Sequence, residues 1–134
     1  MLDRPCPTTE IQTPADAAEC ARLRKIVTRL ASETLRSSCA AADVELAVGE
    51  AFSNAVKYGA HNSKVSVRVE AASKRKLSIE IAYPGSRFDT TVTTPQDPRN
   101  AAGGFGRVIM QHVTDSMEYC FKNGYTILRM TKRR

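Results

Sequence analysis

Asp43-Val44-Glu45-Leu46-Ala47-Val48-Gly49-Glu50-Ala51-Phe52-Ser53-Asn54-Ala55-Val56-Lys57-Tyr58 reads as one amphipathic helix. Glu50 and Asn54 are four residues apart, a spacing that stacks two side chains on one helical face. Ala47, Val48, Ala51 and Ala55 surround them. An acid and an amide on a face of small apolar residues need a reason to be there, because an unpaired polar group is costly to bury. A metal ion held together with phosphate oxygens is one reason. A helix edge from which both side chains point to water is another, and this stretch alone leaves both open.

Working outward, Thr8 to Thr13 is a short strand-like lead-in, and Pro14-Ala15-Asp16 opens a first helix with Leu23, Ile26, Val27 and Leu30 at helical spacing. Ser37-Ser38-Cys39 breaks it. The quoted helix then runs from about Ala41 to Tyr58, and Gly59 is placed to stop it. Strict alternation follows: Val65, Val67 and Val69, a charged turn at Lys74-Arg75-Lys76, then Leu77, Ile79 and Ile81. This is a hairpin with one buried face. From Pro84 to Gly104 the periodicity is lost, and a loop of that length in a compact domain is usually functional. A helix carrying Val108, Ile109, Met110 and Val113 is expected to start after Gly103-Gly104-Phe105-Gly106. Two strands close the chain, about Ser116–Phe121 and Tyr125–Lys132, around the hairpin signal Asn123-Gly124. The order predicts an α+β two-layer sandwich, with helices on one face of a mainly antiparallel sheet.

The chain has 134 residues, which predicts one domain over 1–134, with 1–7 and 133–134 flexible. Its apolar and charged fractions are those of an ordinary globular protein. No apolar run approaches membrane-helix length, and no secretory signal opens the chain, so the expected compartment is the cytoplasm. Cys6, Cys20, Cys39 and Cys120 are scattered, and His61 and His112 stand alone, which argues against a zinc site or a disulfide framework. The formal charge of +6 is spread out; its clusters at Lys74-Arg75-Lys76 and Lys132-Arg133-Arg134 read as a hairpin tip and a frayed tail rather than a nucleic-acid footprint. An acidic partner or phosphorylated ligand suits the charge.

Gly103, Gly104 and Gly106 before a helix would let backbone approach a ligand closely, and a helix start favours an anion. A phosphate and a plain flexible hinge are both open. The segment is neither a P-loop nor a dinucleotide fingerprint, since no Gly-Lys-Ser/Thr and no later framing acid follow.

The pieces occur in a definite order: Glu-x-x-x-Asn on a helix, a strand ending in a glycine turn with Phe88-Asp89, a long loop, then Gly-Gly-Phe-Gly. That order resembles the GHKL (Bergerat-type) ATP-binding superfamily of histidine kinases, DNA gyrase B and MutL. Within it the chain looks most like the small bacterial anti-sigma factor serine/threonine kinases, over about residues 8 to 132. The resemblance implies ATP and magnesium as cofactors, Glu50 as general base and Asn54 as the magnesium-binding amide. It implies a nucleotide site that includes Tyr83, Gly85, Gly103, Gly104, Phe105, Gly106 and Thr126, under a lid of about residues 90–102. It further implies transcription regulation by partner switching between a sigma factor and a STAS-domain anti-anti-sigma protein, and a homodimer. A histidine kinase is disfavoured, because 134 residues leave no room for a phosphoacceptor helical hairpin. Direct contact with nucleic acid or membrane is not expected.

The chain departs from the family at the base end. Its Tyr83-Pro84-Gly85-Ser86-Arg87-Phe88-Asp89 replaces Asp-x-Gly-x-Gly-Phe-Asp, so Tyr83 stands where the family's Asp accepts from the adenine amino group, and Arg87 replaces the second Gly. Tyr125 replaces a Gly, and is expected to close the pocket; Arg107 replaces a Leu. Losing a hydrogen bond to a charged group costs about 1.5–3 kcal/mol, or about 10- to 150-fold in affinity. The expectation is therefore weak ATP binding with little preference over GTP, and a non-catalytic, protein-binding switch is the alternative function.

Overall fold

The computed structural model describes residues 7–85 and 101–134, with the backbone alone for 101–105. The elements follow the expected order: β1 (Thr8–Pro14), α1 (Cys20–Leu35), α2 (Ser38–Tyr58), β2 (Lys64–Ser73), β3 (Lys76–Pro84), α3 (Ala101–Val113), β4 (Ser116–Lys122) and β5 (Tyr125–Arg133). The strands form one sheet in the order β1-β2-β3-β5-β4, with every neighbouring pair antiparallel.

Local chemistry sets the element ends. Asp16 caps a single 3₁₀ turn, Ala17–Glu19, by accepting from the Ala18 N–H at 2.9 Å, so α1 begins later than the periodicity suggests. Arg36 takes a left-handed conformation (φ 50, ψ 42) and Ser37 caps α2 through the Ala40 N–H at 3.1 Å. The break is therefore Arg36-Ser37, and Ser38 and Cys39 are already helical. Asn123 and Gly124, both at positive φ (54 and 78), make the β4–β5 turn.

The core lies between the helices and one face of the sheet. Leu23, Val27, Ala31 and Leu35 of α1 meet Val44, Ala47, Val48, Ala51, Phe52 and Ala55 of α2 over Val65, Val67, Val69, Leu77, Ile79, Ile81, Leu128 and Met130. Small residues at Ala47, Ala51 and Ala55 give α2 a slim buried side. The outer face is polar. Across it Glu10, Arg68, Glu80, Arg129 and Glu118 stand in register, one per strand, with signs alternating. Arg129 Nε donates to Glu80 Oε2 at 2.9 Å. At the carboxyl end Lys132 Nζ pairs with Asp43 Oδ2 at 2.8 Å, and the Arg134 N–H donates to the Arg75 carbonyl at 2.9 Å.

The third helix differs from expectation. It starts at Ala101, so Gly103, Gly104 and Gly106 lie inside its first turns rather than ahead of it. Glycine disfavours a helix by roughly 1 kcal/mol per residue. Close packing of Gly106 on α2 supplies one compensation.

Candidate functional site

Glu50 and Asn54 do share one face of α2, and that face meets α3. A Cβ built on Gly106 would lie 2.9 Å from Glu50 Oε2 and 4.0 Å from Asn54 Oδ1. Gly106 is thus a position of close approach, and the helix backbone sits directly over the acid and the amide. Asn54 is 5% exposed, and its Nδ2 is buried with no hydrogen-bond partner. Beside it stands Tyr119 of β4, whose phenol burial pushes up; the Asn54 side chain and the Arg107 guanidinium oppose that shift. Arg107 is itself buried, with Cζ 5.6 Å from the centroid of the Tyr119 ring.

A second group lies at the ends of β3 and β5. Tyr83 is 1% exposed and directly opposite Thr126, which is fully buried. The phenol is pushed above its ordinary range, first by burial and then by neighbouring Tyr119, so it stays protonated and neutral. Thr126 offsets part of the shift, yet the two hydroxyls do not complete a hydrogen bond. The Tyr83 ring packs on Gly59, where an added Cβ would come within 3.3 Å of Tyr83 Cδ2 and 2.4 Å of the Ala55 carbonyl oxygen. Gly85 bridges to Gly59. A Cβ on Gly85 would lie 2.7 Å from the Tyr58 carbonyl oxygen and 2.8 Å from Gly59 Cα, so only glycine fits without movement. Two backbone bonds fasten this corner: Ala60 N–H to Pro84 O at 2.7 Å, and Gly85 N–H to Gly124 O at 3.1 Å.

The structure thus brings Glu50, Asn54 and Gly106 into one group and Tyr83, Gly85 and Thr126 into another, with Tyr119 touching both electrostatically. Phe88, Asp89 and the expected lid across 90–100 lie outside the described residues, as do the Phe105 side chain and whatever Gly103 and Gly104 contact. One expectation is corrected. Tyr125 does not close the pocket: it is 48% exposed, on the outer face, because its neighbour Thr126 points inward and a strand alternates. Sequence reasoning missed Tyr119. The signal available was the alternation Met117, Tyr119, Phe121 on the inward face of β4, opposite Met130, Leu128 and Thr126. Arg107 was visible only as a cation at an apolar position.

Adenine nucleotide with magnesium can be tested against these two groups. At the phosphate end the chemistry fits: a carboxylate, and an amide whose Oδ1 suits a magnesium ion while its unpartnered Nδ2 can donate to a phosphate oxygen, with Gly106 letting the α3 backbone pack close to both. Magnesium takes few protein ligands and completes its shell with phosphate and water oxygens. At the base end it does not fit. The acceptor-only carboxylate is absent, and a neutral phenol, sealed from solvent, stands in its place.

Residues 13–132 match the family model described as histidine kinase-like ATPase domain. Solved structures that share the fold include two from bacteria. The RsbU and RsbW domains of Rv1364c from Mycobacterium tuberculosis superpose with a TM-score of 0.68 at 16% identity, over 96% of this chain and 33% of that one. The histidine kinase domain of the blue-light activated histidine kinase EL346 from Erythrobacter litoralis superposes with a TM-score of 0.60 at 14% identity, over 90% of this chain and 61% of that one. The chain therefore spans a third of the first solved chain and less than two thirds of the second. No curated protein matches it in sequence.

Proposed function

The chain belongs to the histidine kinase-like ATPase domain family and has its GHKL-type α+β sandwich, and on that premise we propose that it is an anti-sigma regulatory factor, switching between a sigma factor and a STAS-domain anti-anti-sigma protein. The observation that carries this reading is the α2 face, with Glu50 and Asn54 one turn apart and Gly106 of α3 packed on them. The fold likeness to a chain with an RsbW domain supports placing it in the regulatory branch of the family. The proposed docking face surrounds the start of α3. On this reading the protein acts in the cytoplasm as a homodimer, without binding nucleic acid or membrane itself. No helix among the described residues is long and apolar enough to cross a membrane.

A second reading adds phosphorylation of a serine or threonine on the STAS partner. Glu50 favours it, since a base must be held within reach of the incoming hydroxyl. Asn54 would then be the magnesium ligand.

Titration of the purified protein with each sigma factor and each STAS-domain protein of its own genome tests the first reading; absence of any complex contradicts it. Phosphate transfer to the bound STAS protein tests the second. Glu50→Gln should cut that transfer about 100- to 10,000-fold, and full activity in this variant would remove Glu50 from the role.

A further inference from the structure

We infer that Tyr83 is a built-in occupant of the base seat, so that this chain keeps the fold of a nucleotide-binding domain while shutting out the nucleotide. The inference deepens the proposed function at one point, the dependence of partner binding on ATP.

Position comes first. Tyr83 lies two residues after Ile81 on the inward face of β3, opposite Thr126, at the place where the family resemblance puts the adenine-reading acid. The ring is not lining an open seat but filling one: Tyr83 is 1% exposed, Thr126 is fully buried, and both hydroxyl oxygens are closed off from solvent. A base could reach neither hydroxyl in this arrangement.

Chemistry is second. A carboxylate accepts two hydrogen bonds and donates none, which suits an exocyclic amino group. A phenol held neutral by burial offers a single hydroxyl, and here that hydroxyl is buried beside Thr126 with no hydrogen-bond partner.

The third point is that the ring has no easy exit. The end of β3 is fastened on both sides, to the end of α2 through Ala60 N–H···O Pro84 (2.7 Å) and to the β4–β5 turn through Gly85 N–H···O Gly124 (3.1 Å). A Cβ on Gly85 would meet Tyr58 O and Gly59 Cα, and one on Gly59 would meet Ala55 O and the Tyr83 ring, so neither glycine tolerates a Cβ in place. With the strand end held, the ring could leave only by side-chain rotation, which would lose its packing on Gly59 and expose an aromatic ring.

Calorimetric titration with ATP and magnesium tests the inference on wild type, Tyr83→Ala and Tyr83→Phe. Wild type and Tyr83→Phe should show no saturable binding below about millimolar ATP. Tyr83→Ala removes the ring, and a vacated cavity can take up a ligand; it should bind ATP at least about tenfold more tightly than wild type. Should Tyr83→Ala fail to fold, Tyr83→Asp takes its place with the same expected gain. Micromolar binding by wild type overturns the inference, and so does a folded Tyr83→Ala or Tyr83→Asp that gains nothing. These arms involve no partner protein, so failure to form any sigma-factor or STAS complex would count against the proposed function alone.

Discussion

Tyr83 of β3 and Thr126 of β5 are directly opposed on the buried face of the sheet, with side-chain hydroxyls that neighbour each other and complete no hydrogen bond. A buried hydroxyl without a partner carries its desolvation cost uncompensated, about 1–3 kcal/mol. Tyr83→Phe keeps the ring and removes that oxygen. It should leave stability unchanged or raise it by up to about 1–3 kcal/mol in chemical denaturation. A loss of comparable size would mean that the Tyr83 hydroxyl is hydrogen-bonded in the folded protein.

The same tyrosine predicts an alkaline limit. Burial raises the folded-state pKa of Tyr83 above the unfolded value near 10, and that of Tyr119 in the same direction. Folding therefore favours the protonated phenols. Their contribution is fully present below about pH 10 and is lost as pH climbs from there toward the folded-state values, because the unfolded chain releases protons first. Stability measured from pH 8 to 11.5 should fall at the alkaline end, and less steeply in Tyr83→Phe. Equal slopes in the two proteins would place the titrating group elsewhere.

Gly85 tests the clamp at the end of β3. Both atoms nearest its absent Cβ are backbone, 2.7 and 2.8 Å away, so no flexible side chain can give way. Gly85→Ala should destabilise by roughly 1–3 kcal/mol, the usual range for overpacking. An unchanged melting temperature would show that Gly59 and Gly85 separate freely.

On the outer face, Arg129 stands between Glu80 and Glu118 in the alternating row. Arg129→Glu would line up three acids on adjacent strands, and like charges directly opposite destabilise a sheet. The melting temperature should drop at low salt, and 1 M salt should close much of the gap, since exposed charges are screened. A drop insensitive to salt would mean that Arg129 acts by packing.

The fold was legible wherever periodicity was clean. The alternation of Val65-Val67-Val69 and Leu77-Ile79-Ile81, the 3.6-residue pattern of α2, and Asn123-Gly124 each had one structural solution, and the observed elements follow them. The start of α3 was not legible. Three glycines in four residues read locally as a break, and tertiary packing on Glu50 and Asn54 is what a local pattern cannot display. Tyr83 stood out as a substitution, but its complete burial depends on Gly59 and Thr126, which are far from it in sequence. Tyr125 could have been placed correctly: once Thr126 is read as inward, its neighbour must face out.

The central claim is that this fold binds regulatory proteins with its base seat already filled by Tyr83. Titrating the wild-type protein with its sigma-factor or STAS-domain partner, with and without ATP and magnesium, tests it most directly. The account predicts a complex whose dissociation constant is the same in both conditions. A complex that forms only with ATP and magnesium present, or tightens about tenfold or more on their addition, would contradict it.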